Sequence, residues 1–281
     1  MNVIDTIPRL RVSLKSLGGT LGLVPTMGFL HDGHLSLIRQ ARIENDHVAV
    51  SIFVNPIQFG PREDFRGYPR DIARDLALLQ NEGVTLVWTP KLEEVYPPGF
   101  QTKIELLNLA STLEGAHRPG HFSGVTTVVV KLLNIFTPDR LYLGQKDAQQ
   151  AHVIRQLVTD LNYPLEVVVC PTLRDPDGLA MSSRNTKLTP SQRRAATVLY
   201  QALTTASVAF NSGERDGDVL RNIMSQIISA EPLAEEQYVS AADPTTLDEL
   251  DHVNTQVLLS IAVRIGNVRL IDNLIVATIT A

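Results

Sequence analysis

A single cysteine, Cys170, stands in 281 residues, so no internal disulfide is possible and a reducing, cytoplasmic setting is expected. Long apolar runs are missing as well. None approaches the roughly 20 residues that a bilayer-spanning helix needs, and no membrane partner is expected. The first ten residues, MNVIDTIPRL, lack the basic start and long apolar core of a secretory signal. Nor is there an excess of positive charge: 25 Lys+Arg against 30 Asp+Glu give a formal net charge of −5. That balance argues against a general nucleic-acid surface and requires any phosphate site to be locally basic. No HExxH run, G-x-S-x-G elbow, internal repeat or low-complexity tract occurs.

What is present is ordinary for a globular chain, with 44% hydrophobic and 20% charged residues. The length suits one large or two smaller domains, and two are preferred. Through residue 172, short apolar runs alternate with helical patterns. Leu21 to Val24, Val48 to Val54, Val84 to Trp88, Leu141 to Leu143 and Val167 to Cys170 read as buried strands. Asp71 to Glu82 places Ile72, Leu76 and Leu79 on one helical face and stops at Gly83, while Val125 to Phe136 and Asp147 to Leu161 read as further helices. The alternation predicts an α/β, Rossmann-like, doubly wound parallel sheet, with ligands beyond the carboxyl ends of its strands. From residue 173 to 281 the pattern changes to a smaller α+β domain. Helices are expected at Pro190 to Asn211 and Asp218 to Ala230, and strands at Tyr238 to Ala241, Gln256 to Arg264 and Arg269 to Ala277, with Gly266-Asn267 as a hairpin turn.

The stretch LGLVPTMGFLHDGHLSL, Leu21 to Leu37, is the most informative. If Leu35 opens a helix, Gly28 and Gly33 let the chain turn tightly, and the helix start offers unpaired N–H groups and a positive dipole end to an anion. His31 and His34, three apart, can face one ligand and donate to phosphoryl oxygens. This is not a P-loop, because His34 and Leu35 stand where that motif needs Lys and Ser or Thr. Zinc is disfavoured too, since Cys170 is remote and no carboxylate cluster accompanies the pair. By itself an HxGH tetrapeptide is compatible with ordinary loop sequence.

Three further segments carry weaker signals. Gln58, after the strand ending at Val54, offers a neutral amide at the ligand edge, or is simply a polar loop residue. Gly144-Gln145-Lys146-Asp147, with Gln149 and Gln150 beyond, again joins strand to helix. Lys146 there suits a phosphate, or is a solvated charge beside a first-turn Asp147. Met181-Ser182-Ser183-Arg184 brings two hydroxyls and a forked guanidinium to one loop, which also satisfies the description of an exposed linker. Taken together, these groups have the layout of an adenylate-forming nucleotidyltransferase.

The blocks PTMGFLHDGH, SIFVNPIQF, EDFRGYPR, HRPGHFSGV, GQKDAQQ and DGLAMSSRN, in that order, resemble the pantoate–β-alanine ligase (pantothenate synthetase) family of the HxGH nucleotidylyltransferase superfamily. The resemblance implies that ATP and pantoate form pantoyl adenylate, and that β-alanine then displaces AMP to give pantothenate. It implies an ATP site at Met27, Gly28, Phe29, Leu30, His31, Asp32, Gly33 and His34, completed by Gly144, Gln145, Lys146, Asp147, Leu173, Met181, Ser182, Ser183 and Arg184. Of these, His34, His31, Lys146, Ser182, Ser183 and Arg184 would be catalytic. Gln58, Gln150, Tyr68, Pro25 and Met27 would hold pantoate, with Gln58 also near β-alanine. The resemblance further suggests a homodimer, and Mg2+ as a cofactor.

Two departures are visible. Gln145 replaces the usual Glu of the GxKD block, and where relatives carry an acidic run near magnesium this chain has Ala73-Arg74-Asp75, leaving Asp75 as the one metal candidate. Another HxGH-type nucleotidyltransferase, or a catalytically silent nucleotide-binding regulator, remains an alternative to the ligase.

Overall fold

β-Branched and leucine-rich runs buried on both faces pair most readily in parallel when helices connect them. The computed structural model describes residues 1–60 and 65–278, so Glu63 and Asp64 of the EDFRGYPR block lie outside the described residues. Among the described residues, β1 (Asn2–Ile4), β2 (Leu21–Thr26), β3 (His47–Ile52), β4 (Leu86–Trp88), β5 (Arg140–Gly144) and β6 (Glu166–Cys170) form one sheet in the order β1-β4-β3-β2-β5-β6. Every pairing in it is parallel. The five expected strands are present with shifted ends. β1 escapes the sequence pattern, because three residues with Asn2 and Val3 exposed make no apolar run.

The period of two sorts the strand residues onto two cores. Leu23, Ala49, Leu86 and Trp88 pack with Val125, Leu132, Phe136 and Ile154 on one face. Val24, Val48, Val50 and Val87 pack with Leu35, Ile38, Ala41 and Leu79 on the other. Helices therefore cover both faces, and the sheet is doubly wound. Because β2 neighbours both β3 and β5, the strand order reverses between β2 and β5, which is where such sheets take their ligands.

Helix ends follow local chemistry. In the helix Ile72–Asn81, Asp71 caps the start by accepting from the Arg74 N–H at 3.1 Å, and Gly83 follows the end at φ +69°. The helix His121–Phe136 begins a full turn before the expected Val125. Its first turn is polar yet buried, with His121 and Ser123 inside, so hydropathy alone hid it.

The chain divides into two compact units, Met1–Gln145 with Gln149–Pro171, and Lys146–Ala148 with Thr172–Ala281. The second unit holds an antiparallel sheet of β7 (Ala234–Ala242), β8 (Gln256–Ile265) and β9 (Val268–Ala277), in that order. Leu259, Ile261 and Val263 of β8 pack with Leu199, Leu203, Phe210 and Met224 from helices. The expected helix Pro190 to Asn211 is two helices, Pro190–Ala195 and Val198–Asn211. Thr197 and Leu199 donate three residues back, to Arg194 and Ala196, and this tighter spacing interrupts the α-helical ladder. No helix among the described residues is long and apolar enough to cross a membrane.

Candidate active site

The turn after β2 is built from two left-handed residues and a histidine cap. Gly28 lies at φ +81° and Phe29 at φ +52°. A Cβ on Gly28 would approach the Ile52 Cγ2 to 2.9 Å and the Asp75 Oδ2 to 3.0 Å, so glycine is required both for conformation and for space. The next helix, Asp32–Glu44, starts three residues before the expected Leu35. His31 is its N-cap residue, and the His34 Nδ1 accepts from the His31 N–H at 3.3 Å. Gly33 is therefore helical, and of the two glycines only Gly28 makes the turn. Asp32 sits in the first turn, where the positive dipole end favours a carboxylate. The two imidazole rings lie 4.0 Å apart between centroids. With Nδ1 accepting, a neutral His34 carries its proton on Nε2 and is a donor there.

Gln58 ends the 3₁₀ turn Pro56–Gln58 that follows β3. Its Oε1 accepts from the Asn55 Nδ2 at 2.9 Å, and its Nε2 lies 3.3 Å from the Met27 Sδ. Asn55 is itself fixed, donating to the Gly124 carbonyl at 3.1 Å and accepting from the Tyr96 hydroxyl at 2.9 Å. The amide is thus oriented with its donor end toward Met27, at the start of the histidine turn. Burial raises the Tyr96 phenol well above its ordinary range, so it stays protonated as that donor.

A cavity of about 320 Å³ opens at the carboxyl ends of β2, β3 and β4, against Met27, Gly28, Phe29, Phe53, Asp75 and Thr89. Pro25 lies in β2, paired with Ser51. Tyr68 is buried, with its ring edge-to-face against Phe59 at 5.9 Å. Of the neighbouring glutamines in the next helix, Gln149 holds the 109–114 segment through the Leu109 and Thr112 carbonyls and the Glu114 N–H, each at 2.8 Å. It is structural, whereas Gln150 is half-buried.

The Asp75 carboxylate, the metal candidate of the sequence, faces the histidine turn. It accepts from the Phe29 N–H at 2.6 Å and the Leu30 N–H at 2.8 Å and is 1% exposed. Among the described residues no three His, Cys, Asp or Glu side chains are grouped to hold a metal.

In the second unit, the Lys146 side chain is largely buried and its Nζ lies 3.7 Å from the Asp147 carboxylate, so it is not a freely solvated charge. The Asn273 Nδ2 donates to the Lys146 carbonyl at 2.9 Å. Gly144 ends β5, and Gln145 opens the short 3₁₀ turn that contains Lys146. Ser183–Lys187 is also a 3₁₀ turn, capped by the Ser182 hydroxyl accepting from the Arg184 N–H at 3.2 Å. Ser183 is buried, while Met181 and Arg184 are half-buried. Met181 donates its N–H to the carbonyl of Leu173, whose side chain is exposed. This loop is more braced than its composition suggests: Arg193 bridges Asp175 and Asp177 at 2.8 and 2.7 Å, and Asn185 bonds the Ala180 carbonyl at 3.0 Å.

The family model for pantoate-beta-alanine ligase matches residues 2–275. The chain belongs to the pantoate-β-alanine ligase family. It is 59% identical over 275 residues to the pantothenate synthetase of Roseiflexus castenholzii, covering 98% of this chain and 99% of that one. Among solved structures, pantothenate synthetase from Thermus thermophilus superposes with a TM-score of 0.94 at 44% identity, covering 98% of this chain and 99% of that one. The pantoate-beta-alanine ligase of Francisella tularensis, complexed with beta-gamma ATP and beta-alanine, superposes with a TM-score of 0.81 at 40% identity, covering 98% and 97%.

Beyond the residues expected from the motifs, the structure brings several others to Gln58. Asn55 and Tyr96 fix its amide. His121 places Nδ1 2.9 Å from the Gln58 carbonyl and Nε2 3.0 Å from the Arg118 Nη1, and Arg118 in turn lies 3.7 Å from Glu114. The signal available was the HRPGH block, in which Arg118 closes one helix and His121 opens the next.

Proposed function

We propose that this AMP-forming ligase joins pantoate to β-alanine in two steps. A pantoate carboxylate oxygen attacks the α-phosphorus of ATP and pyrophosphate leaves. The β-alanine amine then attacks the acyl carbon of pantoyl adenylate, forming the amide bond as the C–O bond to AMP breaks. The first unit is read as the nucleotide- and pantoate-binding domain, and the second as the domain carrying the SSR loop. The observation that carries this reading is the paired-imidazole turn at a helix start, next to an amide whose donor end is fixed by its neighbours. Such a turn offers donors to phosphoryl oxygens as charge develops, and needs no enzymic nucleophile.

In this reading His34 donates from Nε2 to the phosphate, with His31 beside it, and Met27 to His34 form the nucleotide side of the site. Gln58 donates to pantoate, with Gln150, Tyr68, Pro25 and Met27 around it. Lys146, Ser182, Ser183 and Arg184 are assigned to the same nucleotide on the motif resemblance, as are Gly144, Gln145, Asp147, Leu173 and Met181. Among the described residues no group of three His, Cys, Asp or Glu side chains could hold magnesium, and Asp75 is enclosed and bonded to backbone N–H groups. Magnesium is read as arriving with the phosphate oxygens of ATP. The resemblance also supports a cytoplasmic homodimer, for which sedimentation velocity is the direct measurement.

Exchange of labelled pyrophosphate into ATP tests the chemistry. Exchange that needs pantoate but not β-alanine, together with AMP release that needs both, is the expected result. Exchange that ignores pantoate and follows a phosphate acceptor would identify another nucleotidyltransferase, and ATP binding without any exchange would identify a regulator.

A further inference from the structure

A non-glycine residue held left-handed beside a catalytic pair needs something to hold it. Phe29 is such a residue, and the helix Ile72–Asn81 supplies two consecutive side chains to its turn. The Asp75 Oδ2 takes the Phe29 N–H and its Oδ1 takes the Leu30 N–H, at 2.6 and 2.8 Å. The Arg74 Nη1 donates to the Leu30 carbonyl at 2.8 Å, and its guanidinium lies over the Phe29 ring at 5.5 Å. We propose that Asp75 and Arg74 form a clamp that sets the histidine turn for catalysis, which makes Asp75 a positioning residue acting through the backbone and not a magnesium ligand.

Buried backbone N–H groups must find acceptors, and those of this turn find them inside the protein. The N–H groups of Phe29 and Leu30 converge on one carboxylate, as in an anion nest whose anion is built into the protein. The N–H of His31 meets the His34 Nδ1. Three successive amides are therefore committed internally, and the phosphates are left to the imidazoles and the first helical turn. This distinguishes the site from a P-loop, in which the backbone N–H groups themselves cradle phosphate. The acceptor must also be a carboxylate. An asparagine at position 75 presents one acceptor and one donor, and the donor would face an N–H.

The test rests on the ligase reading above and compares Asp75→Asn, Arg74→Gln and Asp216→Ala with the parent enzyme in pantoate-dependent pyrophosphate exchange. Asp75→Asn is expected to lower kcat by about 10²-fold, with the KM for pantoate changing by less than about threefold and the magnesium dependence unmoved. Arg74→Gln, at a half-exposed side chain that folding tolerates, is expected to lower kcat by roughly tenfold. Asp216→Ala removes the cap of the helix Gly217–Ser229, far along the chain from the histidine turn, so it should lower thermal stability and retain kcat. The clamp is overturned if Asp75→Asn and Arg74→Gln both keep the parent kcat, if added magnesium restores Asp75→Asn, or if Asp216→Ala loses as much kcat as Asp75→Asn. A parent enzyme without pantoate-dependent exchange would sink the ligase reading instead. The clamp is then read from the ¹⁵N resonances of the His34 ring, which Asp75→Asn should shift, and identical spectra would overturn it.

Discussion

A neutral imidazole donates from one nitrogen, and what the other nitrogen meets decides which. In His34 the Nδ1 faces the His31 N–H, so the chemistry falls to Nε2. Replacing His34 by Ala removes one preorganised donor, and pantoate-dependent exchange is expected to fall by about 10²-fold or more, with a smaller loss of ATP binding. Unchanged turnover would remove His34 from the mechanism. The one thiol behaves in the opposite way. Burial, with Glu44 adding to it, pushes Cys170 up to about 11. Its thiolate fraction at pH 8 is about 10⁻³, so the native enzyme should resist alkylation that the urea-unfolded chain undergoes readily. The histidine pair and Gln58 were legible in the sequence because each stands beside a strand end. Asn55 and His121 were not, since what makes them matter is a partner elsewhere: the Gly124 carbonyl for one, and the Gln58 carbonyl, 63 residues away, for the other.

At the scale of elements, the helix His121–Phe136 and the turn Pro56–Gln58 approach so closely that only glycine fits between them. A Cβ on Gly124 would lie 2.5 Å from the Gln58 Cα and the Ile57 carbonyl oxygen. These are backbone atoms, and the turn carrying Gln58 would have to move. Gly124→Ala is expected to cost about 1–3 kcal/mol in urea unfolding. It should also raise the KM for pantoate by about tenfold, the equivalent of about 1.4 kcal/mol of binding. Gly18→Ala, where nothing lies within 4 Å, should stay within about 0.5 kcal/mol of the parent. The central strands and the amphipathic helices were readable because their periodicity was regular. Readings failed where a polar contact overrode hydropathy: at the His34-capped helix start, at the polar first turn beginning at His121, and at Thr197, where i−3 bonds divide an otherwise continuous helical pattern.

At the scale of the molecule, the parallel-sheet architecture with its smaller antiparallel partner followed from the order of strands and helices. The ties that complete the second unit did not, because they join residues about a hundred positions apart. Arg174 forms a bidentate pair with the buried Asp272 at 2.6 and 2.9 Å and stacks on Tyr200 at 4.3 Å. Removing the acid leaves an enclosed guanidinium without its counter-charge, so Asp272→Ala should destabilise by about 3–5 kcal/mol in urea unfolding. The next residue of β9, Asn273, holds the Lys146 carbonyl. Through that bond the antiparallel sheet grips the tripeptide Lys146–Ala148, which belongs with the second unit although the chain on either side of it belongs with the first. If Lys146 serves the nucleotide, its ammonium is positioned from β9. Asn273→Ala should then cost about 1 kcal/mol of stability and about tenfold in the kcat of pyrophosphate exchange. A bond of purely structural value would shift the unfolding midpoint and leave kcat where it was.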